Sequence, residues 1–538
     1  MRIGGIASGM DTEHIVKQLM DAERMRVNRF IRQEQTLKWR MEEYNNLNKS
    51  MANFILNTRN EFGLNEFSTN GTIRSSSTNS FTWAKEATSA NESIVTASAR
   101  SNAMNGSYTV EVTSTASVAK TTSKVLKGNV DPLDDVLDVD NNFIADGSFT
   151  ITTDVGSSEI TVTAGDSIGS LISKLNNAVA VGGPNDGQSL GIRASYDSDL
   201  GQFMMSTRET GEHKSIQITD DPVGLAAAMF SGDIMGPGEN GTDAVINFNS
   251  SEIRKSTNSF SVFGIDLQLK NAAVGEVVTI NVSTNTDGIY DKIKSFVDEY
   301  NGLLDEINGK IGEKEYRDFY PLIQEEKDAM TEKEIELWEE KAKSGLLKNN
   351  EVLQRTLSGI RGALYEKVEG VTGSFEYIYD IGITTGYYKD GGKLVIDEDK
   401  LKDAINSDPD GVLDLFFKAP EVSATGEDRM KESGLIQRTY DGLVAGMKEV
   451  IRHSGPGDDS SLYRSVQSNM LVDFVTKQSN ISDIGRSISQ LNSRIAREEV
   501  LLASKEDRYW NQFTAMEKAM AEMQQQSNWL MSQMGLGA

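Results

Sequence analysis

The stretch ISDIGRSISQLNSRIAREEVLLASKEDRYWNQFTAMEKAMAEMQQQSNWL, residues 481–530, carries an apolar side chain at every seventh position: Ile481, Ile488, Ile495, Leu502, Tyr509, Met516, Met523 and Leu530. Eight successive heptads predict one long helix with a seam that faces other helices. The second core position begins apolar, with Ile484 and Leu491, and then turns to Glu498, Lys505, Gln512, Ala519 and Gln526. The seam therefore narrows toward its C-terminal end and calls for partners beyond a single helix.

A matching pattern lies at the other end of the chain. Residues 12–58 contain no Pro and no Gly, and Phe30, Leu37, Tyr44 and Met51 recur at seven-residue spacing, with Leu47 and Phe54 three residues behind the last two. Asp11 is the expected N-cap. At 1.5 Å per residue both helices reach about 70 to 75 Å. Equal lengths predict an antiparallel pair, 12–58 against 479–538, with everything between inserted at the far end. The competing reading is two unrelated surface helices on a globular body.

Between 67 and 287 the composition shifts to Ser, Thr, Asn, Gly and Val with two-residue alternation. Strands are expected at 106–113, 147–152, 159–163, 215–219, 260–270 and 276–282, with a short helix through Ile168, Leu171, Ile172 and Leu175. Helical spacing returns with Ile289, Ile293, Phe296, Val297, Tyr300, Leu303, Leu304 and Ile307. Residues 316–343 are strongly charged, and 346–364 read as helix. A hairpin is expected from 381–385 and 393–396, joined through Lys389-Asp390-Gly391-Gly392. Short helices flank the turn Asp408-Pro409-Asp410-Gly411.

The fold class is thus α+β and multidomain: paired terminal helices forming a coiled-coil leg, a helical-plus-hairpin domain, and two antiparallel β-rich head subdomains. The expected partition is 1–66 for the N-terminal leg, 67–119 with 243–286 for one head subdomain, 120–242 for an inserted outer one, 287–478 for the helical domain, and 479–538 for the C-terminal leg. A chain of 538 residues is long enough for several such cores.

With 54 basic against 80 acidic side chains, the formal charge is −26, which opposes extended contact with nucleic acid. No apolar run reaches the roughly 18 to 20 residues of a membrane span, and the first residues lack the apolar core of a secretory signal. There is no cysteine, and His14, His213 and His453 are far apart in sequence. Thiol nucleophiles, thiolate metal sites and disulfide frameworks are excluded, and no catalytic residue, cofactor or metal is expected. Absence of cysteine also suits a protein that leaves the reducing cytosol unfolded.

Two motifs come close to ligand sites and miss. The segment Gly4-Gly5-Ile6-Ala7-Ser8-Gly9 lacks the spacing and the lysine of a phosphate loop. Asp138, Asp140 and Asn142 fall at calcium-loop spacing, but Phe143 and Phe149 stand where Gly and Glu are needed. The methionines Met516, Met520, Met523, Met531 and Met534 read as adaptable packing rather than as ligands.

Ile3, Gly4, Gly5, Ser8, Gly9, Met10 and Asp11, followed by Ile15-Val16, Leu19-Met20 and Ala22-Glu23-Arg24, resemble the N-terminal signature of the flagellar hook-associated protein 2, or filament cap (FliD), family. Residues 316–322, 334–347 and 381–384 resemble its C-terminal half. The resemblance implies a non-enzymatic protein of the flagellum tip that leaves the cell through the flagellar export apparatus without a cleaved signal. It implies a pentamer-like homo-oligomeric ring that helps exported flagellin fold and insert. Hook–filament junction proteins, and an export chaperone at the C-terminal helix, are further implied partners. The seam residues Phe30, Leu37, Tyr44, Met51, Ile481, Ile484, Ile488, Leu491, Ile495, Leu502, Tyr509, Met516, Met523 and Leu530 would then pack the oligomer and the filament core. The alternative is a secreted adhesin that binds a host surface or mucin through its β-rich head.

Overall fold

A computed structural model describes residues 10–67, 73–75, 81–127, 135–230, 239–386, 390–421, 424–457, 466, 475 and 482–533. Its first helix, α1 (Thr12–Glu61), opens where the Asp11 carboxylate accepts from the backbone N–H of His14. That bond satisfies one of the orphan donors of the first turn. The chain is α+β and divides into two units, Met1–Ser75 with Tyr290–Ala538, and Ser76–Ile289. The hairpin of β1 (Asn65–Phe67) and β2 (Ile73–Ser75) belongs to the first.

The second unit is β-rich, and its described residues form two hydrophobic cores. Around the first lie β3 (Lys85–Ser89), β4 (Val95–Ala99) and β5 (Gly106–Ser114). After β6 (Val118–Val125), the second core takes in β7 (Gly147–Thr152), β8 (Ser157–Val162), α2 (Ile168–Asn176), β9 (Ile192–Asp197), β10 (Gln202–Thr210), β11 (Ser215–Asp220) and α3 (Leu225–Met229). The chain then returns through β12 (Glu239–Asn240) to β13 (Ala244–Phe248), β14 (Ser251–Lys255), β15 (Ser259–Val262), β16 (Ile265–Leu269) and β17 (Val277–Thr284).

Every pairing among the described residues of this unit is antiparallel, in sheets ordered β14-β13-β5-β17-β3, β15-β16-β4, β12-β11-β7-β8 and β6-β10-β9. Alternation dictates which side is buried: Gly147, Phe149 and Ile151 of β7 face the core, while Ser148, Thr150 and Thr152 do not.

One expectation needs correction here. Residues 260–270 are two strands, β15 and β16, joined at Phe263 and Gly264, whose φ values are 49° and 79°. Two positive φ values make the tight turn a primed type, for which Asn-Gly is the usual signal. Phe at the first position concealed it.

The first unit is mainly helical: α1, α4 (Thr286–Gly312) from Tyr290 onward, α5 (Gln324–Asp328), α6 (Glu332–Lys343), α7 (Glu351–Tyr365), α8 (Glu398–Ser407), α9 (Pro409–Phe417), α10 (Gly426–Glu432), α11 (Leu435–Ser454) and α12 (Asp483–Gln533). Between α7 and α8 a hairpin pairs β18 (Ile383–Thr385) with β19 (Leu394–Ile396). Helix α7 starts later than the apolar spacing suggested, because the Asn350 side chain caps it by accepting from Leu353 N. Phe54 and Phe62 pack on Phe296 of α4 at 5.9 and 6.4 Å, Phe62 meets Phe417 at 4.9 Å, and Phe296 meets Phe416 at 6.3 Å. This aromatic core holds the C-terminal third of α1.

Candidate assembly surface on the terminal helices

Helices α1 and α12, of 50 and 51 residues, run antiparallel. At the foot of α12, Asp483 pairs with His453 at 3.1 Å, and Ser454 of the same turn reaches Asn45 at 3.3 Å. Farther along, Glu498 meets Arg26 at 3.0 Å, and Lys505 and Tyr509 meet Glu23 at 2.5 and 3.3 Å. Partner numbers fall on α1 as they rise on α12.

Ion pairs carry the contact onward where the apolar seam narrows. Glu498 and Lys505, at the second core position, are half-buried and supply them. The Lys505 ammonium, helped by the Tyr509 hydroxyl, holds the Glu23 carboxyl below its ordinary range. Partly solvated pairs of this kind set register more than they stabilise.

The expected seam residues are distributed unevenly. Tyr44 and Met51 are buried in the chain's own helical core, Met51 completely. Phe30, Leu37, Ile488, Leu491, Ile495, Leu502, Tyr509 and Met516 are half-buried, and Ile484 is buried at 8% exposure. Ile484 is the one buried residue of α12 among those described, so two helices do not by themselves close a coiled-coil seam. Ile481, Met534 and the signature residues Ile3, Gly4, Gly5, Ser8 and Gly9 lie outside the described residues; Met10 and Asp11 lead into α1.

Every residue from Glu522 to Gln533 is exposed, with Met523 at 61%, Trp529 at 62%, Leu530 at 52% and Met531 at 55%. The sequence reading missed Thr12, Val16, Met20 and Val27, which α1 buries. Their i, i+4, i+8 spacing over the first three was the available signal.

Among the described residues, no group of three or more His, Cys, Asp or Glu side chains could hold a metal ion. Asp138, at calcium-loop spacing, turns inward on its own loop and accepts from the N–H groups of Asp140 and Asn142 and from the Asn142 carboxamide. No helix among the described residues is long and apolar enough to cross a membrane.

Antiparallel terminal helices, an exposed apolar stripe and an inserted antiparallel β unit define a multidomain structural protein of α+β architecture. The comparisons agree. The model for the flagellar hook-associated protein 2 C-terminus matches residues 241–525, the one for its N-terminus matches 8–119, and a flagellin hook IN motif matches 148–209. The flagellar hook-associated protein 2 of Halalkalibacterium halodurans is 32% identical over 97% of both chains. That of Thermotoga maritima is 26% identical over 69% of this chain and 53% of its own. The D1 to D3 domains of the Escherichia coli flagellar cap protein share the fold, with a TM-score of 0.50 at 20% identity over 75% of this chain and 95% of that one. The chain belongs to the flagellar hook-associated protein 2 family.

Proposed function

We propose that this chain is a flagellar filament cap protein, a homo-oligomer at the distal end of the filament that promotes folding and insertion of exported flagellin and prevents monomer loss. One observation carries the reading: the apolar stripe of α12 runs on through Met523 and Leu530, both exposed to solvent, with Trp529 exposed beside them. An apolar stripe at heptad spacing gains free energy by burial against further helices, and identical neighbours in a closed ring supply them with the same geometry at every step.

In this reading the terminal helices are legs seated in the filament's helical core, in a pentamer-like ring. The β-rich units form a lid over a chamber in which flagellin folds. Folding of flagellin drives the movement of the cap, so no catalytic group is needed. The chain reaches the extracellular tip through the flagellar export apparatus without a cleaved signal peptide, an export chaperone meets the C-terminal helix, and hook–filament junction proteins are its first neighbours. The adhesin alternative gains no observation and is not carried further.

The experiment is the double variant Ile488→Asp with Ile495→Asp. Both side chains are half-buried, so the intrachain cost stays near 1 to 2 kcal/mol, while a closed ring would bury the new charges at several kcal/mol. The expected result is a soluble, monomer-shifted chain by light scattering with an unchanged melting transition of the β-rich unit. Cells complemented with it should release flagellin into the medium. Normal oligomers together with full-length filaments would overturn the proposal.

A further inference from the structure

We propose that residues 313–345 form a flap that docks on the flank of α1 through charge and π contacts, and that it lifts off as one piece while the rest of the helical unit stays folded. The observations concern its base, its interior and its dock.

The base is pinned. Ser344 Oγ donates to Lys314 O at 2.6 Å, Gly345 N donates to the Glu313 carboxylate at 2.9 Å, and Asn349 N donates to Ile311 O at 3.0 Å. Gly345 sits at φ +77°, and a Cβ there would fall 2.8 Å from Glu315 Cα, so the two ends close only over glycine.

The interior has its own order. Thr331 and Glu334 form a reciprocal capping box at the start of α6. Trp338 packs on Phe319 and Tyr320 at 4.6 and 5.7 Å and donates its indole N–H to Tyr320 O, and Lys327 pairs with Glu339 at 2.7 Å. Neither α5 nor α6 contributes a buried residue. Segments with few buried apolar contacts open at low free energy.

The dock is polar. The Arg32 guanidinium lies 4.0 Å from the centre of the Tyr320 ring and donates to Glu326 at 2.7 Å. Arg24 approaches Glu325 at 3.5 Å, and the Lys343 ammonium stands 5.2 Å from the ring of Trp39. The closed state also carries a cost, because Arg32 Nε is buried without a hydrogen-bond partner. Pro321 and Leu322 are the buried apolar anchors within the flap. Helix α11, by contrast, buries Leu443, Met447, Val450 and Ile451 along one face. Contacts of the first kind weaken as the screening length falls from about 10 Å at 0.1 M salt to about 3 Å at 1 M, and contacts of the second kind do not. Lifting the flap uncovers Arg32 and Trp39, an aromatic and cationic strip on α1.

Hydrogen exchange read by mass spectrometry on the full chain, at about 0.05 M and about 1 M salt, tests this. Residues 316–343 should exchange together, about five- to tenfold faster at high salt, with α11 unchanged. Arg32→Gln should raise the low-salt rate toward the high-salt value and shrink the salt dependence, leaving only the part due to Arg24 and Lys343. Arg32→Lys, which keeps the charge without the flat guanidinium, should fall between. Glu326→Gln alters the flap side of the pair alone and should act in the same direction if Arg32→Gln disturbs α1. Exchange over 316–343 as slow as in α11 and indifferent to salt would overturn the proposal, as would wild-type rates in both Arg32→Gln and Glu326→Gln.

Discussion

The hydroxyl of Tyr440 on α11 lies 2.7 Å from the hydroxyl of Thr58 on α1, both within the buried core. Thr58 already donates its hydrogen to Phe54 O at 2.7 Å, so Tyr440 is the donor between them. Burial also pushes the Tyr440 phenol well above its ordinary titration. The two truncations should differ. Tyr440→Phe removes a donor and leaves Thr58 with its own bond, at about 1 kcal/mol; Thr58→Val strands a buried phenol hydrogen, at about 1 to 3 kcal/mol. Urea unfolding of the helical unit should rank Thr58→Val as the more damaging, and the reverse order would refute the donor assignment.

Arg438, 2% exposed, gathers six backbone carbonyls: Ala363, Glu366 and Lys367 around the end of α7, and Met430, Lys431 and Ser433 around the end of α10. The last carbonyls of a helix have no intrahelical partner, and a guanidinium with five donors in a plane serves two such ends at once. Arg438→Met should cost about 3 to 5 kcal/mol, and Arg438→Lys should recover little of it, because an ammonium lacks the fork. Thermal unfolding followed by far-ultraviolet circular dichroism would measure both.

Gly442 and Gly446 let α11 approach α7. A Cβ at Gly446 would sit 2.3 Å from Thr356 Cγ2, and one at Gly442 would sit 2.7 Å from Ile360 Cγ1. Gly446→Ala should therefore destabilise by about 1 to 3 kcal/mol despite the better helix propensity of alanine. Adding Thr356→Ala should return part of that loss in a double-mutant cycle. Additive losses would place the strain elsewhere.

Glu23 gives the helix pair a pH dependence with a definite sign. Its hydrogen bond and ion pair with Lys505 lower the carboxyl pKa below the ordinary 4.5. The contribution is therefore present above that value and is lost as pH falls through the depressed folded value. Fluorophores on cysteines introduced at the exposed positions Arg29 and Ala503, the chain having none of its own, should report separation of α1 from α12 over that acidic window. Glu23→Gln should remove this component of the response. An unchanged titration in Glu23→Gln would exclude the pair as its source.

Periodicity determined the elements. An apolar residue every three or four positions sets a helix face, and one every second position sets a strand face. Both are local properties, legible in Phe30 to Met51, in Ile488 to Met516 and in Gly147 to Thr152. The same locality made Asp11 readable as a cap and the glycines Gly391 and Gly392 readable as turn residues, Lys389 lying outside the described residues. Tertiary structure alone decided what each face meets. Tyr44 and Leu37 share one heptad series, yet Tyr44 is buried in the helical core and Leu37 is half-exposed. Lys505 at a core position looked like the end of a seam until Glu23, 482 positions away, supplied its counter-charge. Arg32, Tyr320 and Glu326 carry no spacing that joins them. Side-chain contacts between distant segments depend on the whole set of helix packings at once, and no window of sequence contains that information.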